Sequence, residues 1–197
     1  TVVTPSAHFF EWDDDIRHAI HTAVSGDRQG YYADFGSLQT LANTLKHGYF
    51  HAGTYSSFRR RRHGRPLDTA TIPATRLLAY TLTHDQVGNR AVGDRPSQRL
   101  DFGQLAVKAA LALGSPYTAM LFMGEEWGSS SPFQFFSSHP EPDLARATAE
   151  GRKAEFAEHG WDADEIPDPQ DPATFLRSKL NWDEVGDGDH ARLYRVY

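Results

Sequence analysis

Thr81-Leu82-Thr83-His84-Asp85-Gln86-Val87-Gly88-Asn89-Arg90-Ala91-Val92-Gly93-Asp94-Arg95 is the stretch on which the reading of this chain turns. Leu77-Leu78-Ala79-Tyr80 precede it, a short apolar run that predicts a buried strand. Where that run ends the composition turns polar, and His84, Asp85, Gln86, Asn89 and Arg90 arrive together. Gly88 and Gly93 predict the backbone freedom of a loop. Parallel α/β folds carry their ligand-handling side chains just past the carboxyl ends of buried strands. A polar cluster at that position marks Asp85 as a candidate catalytic carboxylate, with His84, Gln86 and Arg90 beside it.

Downstream the pattern repeats. Leu105 to Leu113 is almost wholly apolar and predicts a largely buried helix, capped by Gly114 and prevented from continuing by Pro116. Thr118-Ala119-Met120-Leu121-Phe122-Met123 then predicts a parallel strand covered on both faces. It too opens into small and polar residues, Gly124-Glu125-Glu126-Trp127-Gly128. Strand, helix and strand with polar loops at one end is the βαβ rhythm of an α/β fold, and it predicts His84-Asp85 and Glu125-Glu126 on one rim. For the two glutamates, structural hydrogen bonding is favoured over substrate contact.

Upstream, Phe9-Phe10-Glu11-Trp12 is a strand candidate, and Asp13-Asp14-Asp15 suit the first turn of a helix that runs through Val24 and stops at Gly26. His18 and His21 share one face of that helix; without a third ligand this spacing predicts packing or hydrogen bonding rather than a metal site. Gly30-Tyr31-Tyr32-Ala33-Asp34-Phe35-Gly36 reads as an aromatic loop. Leu38, Leu41, Ala42 and Leu45 predict an amphipathic helix ending at Gly48. Residues 49–73 read as a long loop carrying Phe58 and the run Arg59-Arg60-Arg61-Arg62, solvated, with one or two arginines turned towards a substrate.

Beyond the second strand, Phe133-Gln134-Phe135-Phe136 is a short strand or loop, and Pro140 and Pro142 flank a turn. Asp143 then caps a polar helix from Leu144 to about His159. Residues 166–172 form a proline-stiffened connection, and Gly186-Asp187-Gly188-Asp189 a turn that lacks the spacing of a calcium loop.

The 197 residues suffice for one domain with a sizeable core. Twenty basic and 26 acidic residues give a net charge of −6, which argues against a nucleic-acid partner and suits a neutral ligand. With no cysteine there is no disulfide or thiol chemistry, and a cytoplasmic location is expected. No apolar run approaches the roughly 18 residues of a membrane span, so no membrane partner is expected. The aromatic content of 12% serves first to fill a core and second to stack on sugar rings. Thr1-Val2-Val3-Thr4-Pro5 shows neither an initiator methionine nor a signal-peptide pattern, and Arg192 to Tyr197 stops inside an expected helix. A piece of a longer chain is therefore expected.

The stretch His84-Asp85-Gln86-Val87-Gly88-Asn89-Arg90-Ala91, followed by Gly93-Asp94-Arg95, resembles the seventh-strand motif of the maltooligosyltrehalose trehalohydrolase family. These are (β/α)8-barrel glycosidases of the α-amylase superfamily, glycoside hydrolase family 13. The likeness continues through Trp12 with Asp14-Asp15, Gly30-Tyr31-Tyr32-Ala33-Asp34-Phe35, Tyr55 with Phe58-Arg59, and Leu121-Phe122-Met123-Gly124-Glu125-Glu126-Trp127-Gly128. Pro132 to Phe136 and Lys179-Leu180-Asn181-Trp182 extend it over nearly the whole chain. His-Asp alone is shared across the superfamily; the run through Arg95 is far more specific.

The resemblance implies a retaining hydrolase that cleaves the α-1,4 bond next to the trehalose end of maltooligosyl trehalose and releases trehalose. It implies no cofactor and no metal, and a pathway pairing with a trehalose-forming synthase. Asp85 falls on the third catalytic carboxylate, His84 on a sugar contact in the cleavage subsite, and Phe58 and Arg59 on loop residues near the trehalose subsites. Trp12, Gln86 and Arg90 complete the implied substrate-binding set. Thr83 stands where the superfamily often has Asn. The nucleophile and the acid/base would lie upstream of Thr1, so residues 1–197 would be the C-terminal portion of the catalytic barrel, strands six to eight, and inactive alone. A branching or debranching relative, or a non-catalytic carbohydrate-binding fragment, is the competing reading.

Overall fold

The structure, a computed structural model, describes residues 10–157 and 161–197. Phe9, Thr1 to Pro5 and the helix end expected at His159 lie outside the described residues. The chain divides into two compact units: one runs up to Thr81 and adds Asp101–Leu121 and Val196–Tyr197, and the other comprises Leu82–Leu100 and Phe122–Arg195.

In the first unit, Glu11–Trp12 (β1) leads into the helix Asp14–Ser25 (α1). The helix begins there because the Asp13 side-chain Oδ1 accepts a hydrogen bond from Ile16 N at 3.0 Å, while Asp14 and Asp15 place negative charge at the positive end of the helix dipole. It ends at Gly26, whose φ of 80° is left-handed and whose N–H donates to the Thr22 carbonyl. The aromatic segment Gly30–Phe35 winds into a 3-10 helix, and Leu38–His47 (α2) follows with Ser37 as its cap. This second helix buries Thr40, Leu41 and Thr44. Leu38, expected on that face, is 74% exposed, so the apolar stripe starts one turn later than its spacing predicts.

The expected loop contains a β-hairpin, Thr54–Ser56 (β2) against Arg61–His63 (β3), with Tyr55 opposite Arg62. Its strands carry exposed arginines and lack polar-apolar alternation, which is why the sequence reads as loop. Leu77–Ala79 (β4) follows, flanked by the nearly fully buried Tyr80. The chain then passes through a five-residue helix of the second unit, His84–Gly88 (α3), and returns as Phe102–Leu113 (α4) and Thr118–Ala119 (β5).

β1, β4 and β5 form a parallel sheet in that order, with Trp12 opposite Leu78 and Leu78 opposite Thr118. The sheet and its helices enclose a core of Ile16, Ile20, Phe35, Leu41, Leu77, Ala79, Ala112 and Tyr117. This is the α/β arrangement that the βαβ rhythm predicts. Two expectations are cut back: α4 buries only Lys108, Ala109 and Ala112, and the second strand keeps ladder pairing only at Thr118–Ala119. Leu121 and Met123 are more than two-fifths exposed, so the both-faces cover their apolarity predicts is not seen among the described residues.

The second unit is built of short helices: α3, a 3-10 turn at Pro96–Gln98, Pro142–Ala157 (α5), Pro172–Arg177 (α6), a 3-10 turn at Trp182–Gly186, and Gly188–Tyr194 (α7). Asp187-Gly188-Asp189, read as a turn, opens α7. The region is organised by Arg95, which is almost completely buried. Its Nε donates to the Ser131 carbonyl at 2.6 Å and its guanidinium also donates to the Met123 carbonyl at 2.8 Å. The charges of Glu125, Glu126 and Glu184 surround it; burial still pulls the Arg95 pKa below the ordinary value. Glu184 in turn accepts from Trp127 Nε1 and from Ser130 N, both at 3.0 Å. Burial works to raise its pKa, but the bonds from Ser130 and Trp127 more than offset that. Among the described residues no helix is long and apolar enough to cross a membrane.

Two stability predictions follow from these buried charges. Asp13 has no exposed surface, its Oδ2 has no hydrogen-bond partner, and burial, reinforced by Asp15 and Asp14, pushes its pKa up to about 8. Its folded-state pKa lies above the unfolded value of 3.8, so the folded state holds the proton more tightly. Stability is then highest below the unfolded pKa and is lost as pH rises towards the folded one. Thermal unfolding is expected to show that decline, and Asp13→Asn, which keeps the cap but cannot ionise, is expected to flatten it; equal slopes would contradict the assignment. Arg95→Met strands two carbonyls and removes the cation facing three carboxylates, so urea unfolding is expected to show a loss of about 3–5 kcal/mol. A loss below about 1 kcal/mol, the scale of one ordinary hydrogen bond, would show that Arg95 is not the hub described.

Candidate active site

The segment that the sequence reads as a glycine loop is a helix at its start. Thr83 and Gln86 close a capping box: Thr83 Oγ1 accepts from Asp85 N at 3.2 Å, and Gln86 Oε1 accepts from Thr83 N at 2.6 Å and from Thr83 Oγ1 at 2.8 Å. Gly88 sits within α3 and only Gly93, with φ 69°, takes a left-handed conformation. A Cβ at Gly93 would fall 2.5 Å from the Phe133 carbonyl oxygen, so glycine is required there for space as well as backbone conformation. Gln86, expected among the substrate contacts, has its carbonyl oxygen committed to the cap, and Thr83 likewise spends its hydroxyl locally.

The capping box leaves the first turn of α3 to His84 and Asp85. Their side chains pair at 3.3 Å between Nε2 and Oδ1, and both are about three-fifths exposed. The Asp85 carboxylate is thus an exposed group on a helix, where the sequence reading expects a loop. A carboxylate in the first turn of a helix gains from the helix dipole while remaining hydrated. Arg90 turns back to Asp94, with 2.6 Å between Nε and Oδ1, so its charge is partly satisfied within its own segment. Glu125 accepts from Phe122 N at 3.1 Å and faces Arg95, the structural role favoured from sequence.

In the first unit, Trp12, Phe58 and Arg59 are all exposed, and a continuous contact chain joins the two aromatics. Trp12 meets the Tyr80 ring edge-on at 5.8 Å, and Tyr80 donates to Asp14 at 2.6 Å. Asp14 pairs with Arg17 at 3.5 Å, and Arg17 donates to the Tyr32 hydroxyl at 3.0 Å. Tyr32 packs on Tyr31, and Tyr31 on Phe58 at 5.8 Å. Burial, and then the bond to Asp14, drive the Tyr80 pKa well above the ordinary tyrosine value, so its hydroxyl is a fixed donor. Phe58 and Arg59 occupy the turn of the hairpin, where Arg59 N donates to Ser56 Oγ at 3.3 Å. Tyr80, Asp14 and Arg17 were not among the expected site residues.

His18 lies among the rings of Tyr31, Tyr32 and Phe35, and burial, with Arg17 and other histidines, pushes its pKa down to about 2. His21 pairs with Asp27 at 2.8 Å. Both histidines are thus occupied by packing and hydrogen bonding, and no group of three or more potential metal ligands occurs among the described residues.

No family model matches the chain. Over 187 residues, 95% of the chain, it is 80% identical to a Malto-oligosyltrehalose trehalohydrolase of Mycobacterium tuberculosis and covers 32% of that protein. A Deinococcus radiodurans protein of the same name is 39% identical over 94% of the chain, and one from Saccharolobus solfataricus 40% identical over 87%, with 31% and 29% of their lengths covered. Among solved structures, a Salmonella typhimurium protein described as a "Putative alpha Amylase" superposes with a TM-score of 0.82 at 38% identity, over 95% of this chain and 32% of that one. The resemblance drawn from the motifs thus holds: along 95% of its own length this chain is a relative of proteins named malto-oligosyltrehalose trehalohydrolase, and it spans 32% of the length of the first of them.

Proposed function

We propose that residues 1–197 are the C-terminal portion of a (β/α)8 glycosidase catalytic domain, strands six to eight with their helices. The complete enzyme cleaves the α-1,4 bond next to the trehalose end of maltooligosyl trehalose and releases trehalose. The observation that carries this reading is the 80% identity over 187 residues to a protein of that activity's name. Three parallel strands in chain order, β1, β4 and β5, support the barrel placement, since a barrel sets successive parallel strands side by side.

In this reading Asp85 is the third carboxylate, and the nucleophile and the acid/base come from barrel strands upstream. Glycoside cleavage passes through an oxocarbenium-like state in which positive charge grows on the sugar ring. An ionised Asp85 hydrogen-bonded to hydroxyls of that ring helps most at that moment, and the bound sugar itself strips water from a carboxylate that is exposed when empty. Two charge-assisted bonds of about 1.5–3 kcal/mol each supply about 3–6 kcal/mol, roughly 10²- to 10⁴-fold in rate. His84, paired with Asp85, contacts the same sugar; Gln86 and Arg90 serve it mainly by shaping α3 and the segment beyond. Trp12, Phe58 and Arg59 offer stacking faces and a cation to the trehalose part. The substrate is supplied by a synthase that converts the reducing end of a maltooligosaccharide to a trehalose unit, and the absence of cysteine from the sequence fits a cytoplasmic setting.

Incubating the complete enzyme with maltooligosyl trehalose is expected to release free trehalose with retained anomeric configuration. Transferred or branched chains in place of trehalose would contradict the assignment. Asp85→Asn is expected to lower kcat by about 10²- to 10⁴-fold without loss of fold. Turnover near that of the unaltered enzyme would exclude the role given to Asp85.

A further inference from the structure

We infer that Arg152 is a positioning residue for Asp85: from α5 its guanidinium holds the carbonyl of Gly88, the last residue of α3, and that of Arg90 just beyond, and so fixes the turn that presents the carboxylate. The inference rests on the reading of Asp85 proposed above and adds a residue that the cleavage chemistry itself does not touch.

Helix α3 has five residues, too few to be stable by its own hydrogen bonds. Its amino end is held by the Thr83–Gln86 box. At its other end Asn89 N donates back to the Asp85 carbonyl at 3.1 Å, so displacement of the last turn is passed directly to Asp85. The Arg152 guanidinium, far along the chain, donates to the carbonyl of Gly88 and, at 3.2 Å, to that of Arg90, which also accepts from Gly93 N at 3.3 Å. A cation at that place also complements the negative end of the helix dipole.

Arg152 is itself held on several sides. Its guanidinium lies 4.8 Å from the centre of the Phe135 ring and 4.5 Å from that of Phe156, and it pairs with Glu155 at 3.7 Å. Phe156, one turn along α5, packs in a small apolar cluster with Ala91 and Val92, just past α3. The side chain is buried, so its hydrogen bonds to the two carbonyls do not compete with bulk water. Its charge is satisfied by backbone carbonyls, two aromatic faces and Glu155, an arrangement that locks a backbone segment.

Three variants of the complete enzyme test this. Arg152→Met keeps an unbranched chain between the two rings and removes every donor; Arg152→Lys keeps a cation that can reach one carbonyl; Asp85→Asn tests the reading beneath. Arg152→Met is expected to lower kcat by about 10- to 100-fold with KM little changed, because a misplaced carboxylate weakens transition-state rather than ground-state contact. Arg152→Lys is expected to recover part of the loss. Hydrogen exchange at the Gly88 and Asn89 amides is expected to quicken in Arg152→Met while that of the β4 amides stays unchanged. Unaltered kcat and exchange in Arg152→Met would overturn the inference, as would a global loss of stability with kcat and KM worsening together and no rescue by lysine. An inactive Asp85→Asn beside a fully active Arg152→Met removes this inference alone; a fully active Asp85→Asn removes the reading of Asp85 and this inference with it.

Discussion

A helix of five residues cannot hold itself, and in this chain such a helix carries the carboxylate of greatest interest. Everything around α3 supplies what its own hydrogen bonds lack. Thr83 and Gln86 close its amino end, Arg152 takes the carbonyl of its last residue, and Gly93 lets the following segment pass within contact of Phe133. None of these partners needs to meet a sugar to matter. They set where His84 and Asp85 stand, and a rate that depends on an aspartate facing a developing cation depends on that placement.

The same economy of charge runs through the rest of the second unit. Arg95 joins the segment after α3 to the carbonyls of Met123 and Ser131, and Glu184 gathers Trp127 and Ser130. Buried ionised groups are tolerable only when hydrogen-bonded on most sides, and here carbonyls, an indole, a hydroxyl and opposite charges do so. In the first unit the corresponding device is neutral. Asp13 sits in the core with its proton retained at ordinary pH, while Asp14 beside it stays outside and receives the Tyr80 hydroxyl.

The α/β class was legible because β4, α1 and the glycine stops at Gly26 and Gly48 announce themselves through local rules: apolar runs, caps and left-handed turns. The family motif is legible for a similar reason, its residues being contiguous. The hairpin at Thr54–His63 was hidden because arginines on both its faces leave no alternation to detect. Helix α3 is hidden because Gly88 suggests a loop, while Gln86, which with Thr83 overrides it, reads as a substrate contact. Arg95 and Arg152 could not be assigned their work from sequence at all, since the carbonyls they hold lie 28 to 64 residues away.

The account stands or falls on whether Asp85 meets the sugar whose bond is broken. The most direct measurement is a crystal structure of the complete enzyme with a non-hydrolysable maltooligosyl trehalose analogue bound. Asp85 is expected to accept hydrogen bonds of about 2.5–3.0 Å from hydroxyls of the ring in the cleavage subsite, with His84 on the same ring and α3 as described. A bound analogue with the Asp85 carboxylate still turned to solvent, or with α3 unwound, would contradict it.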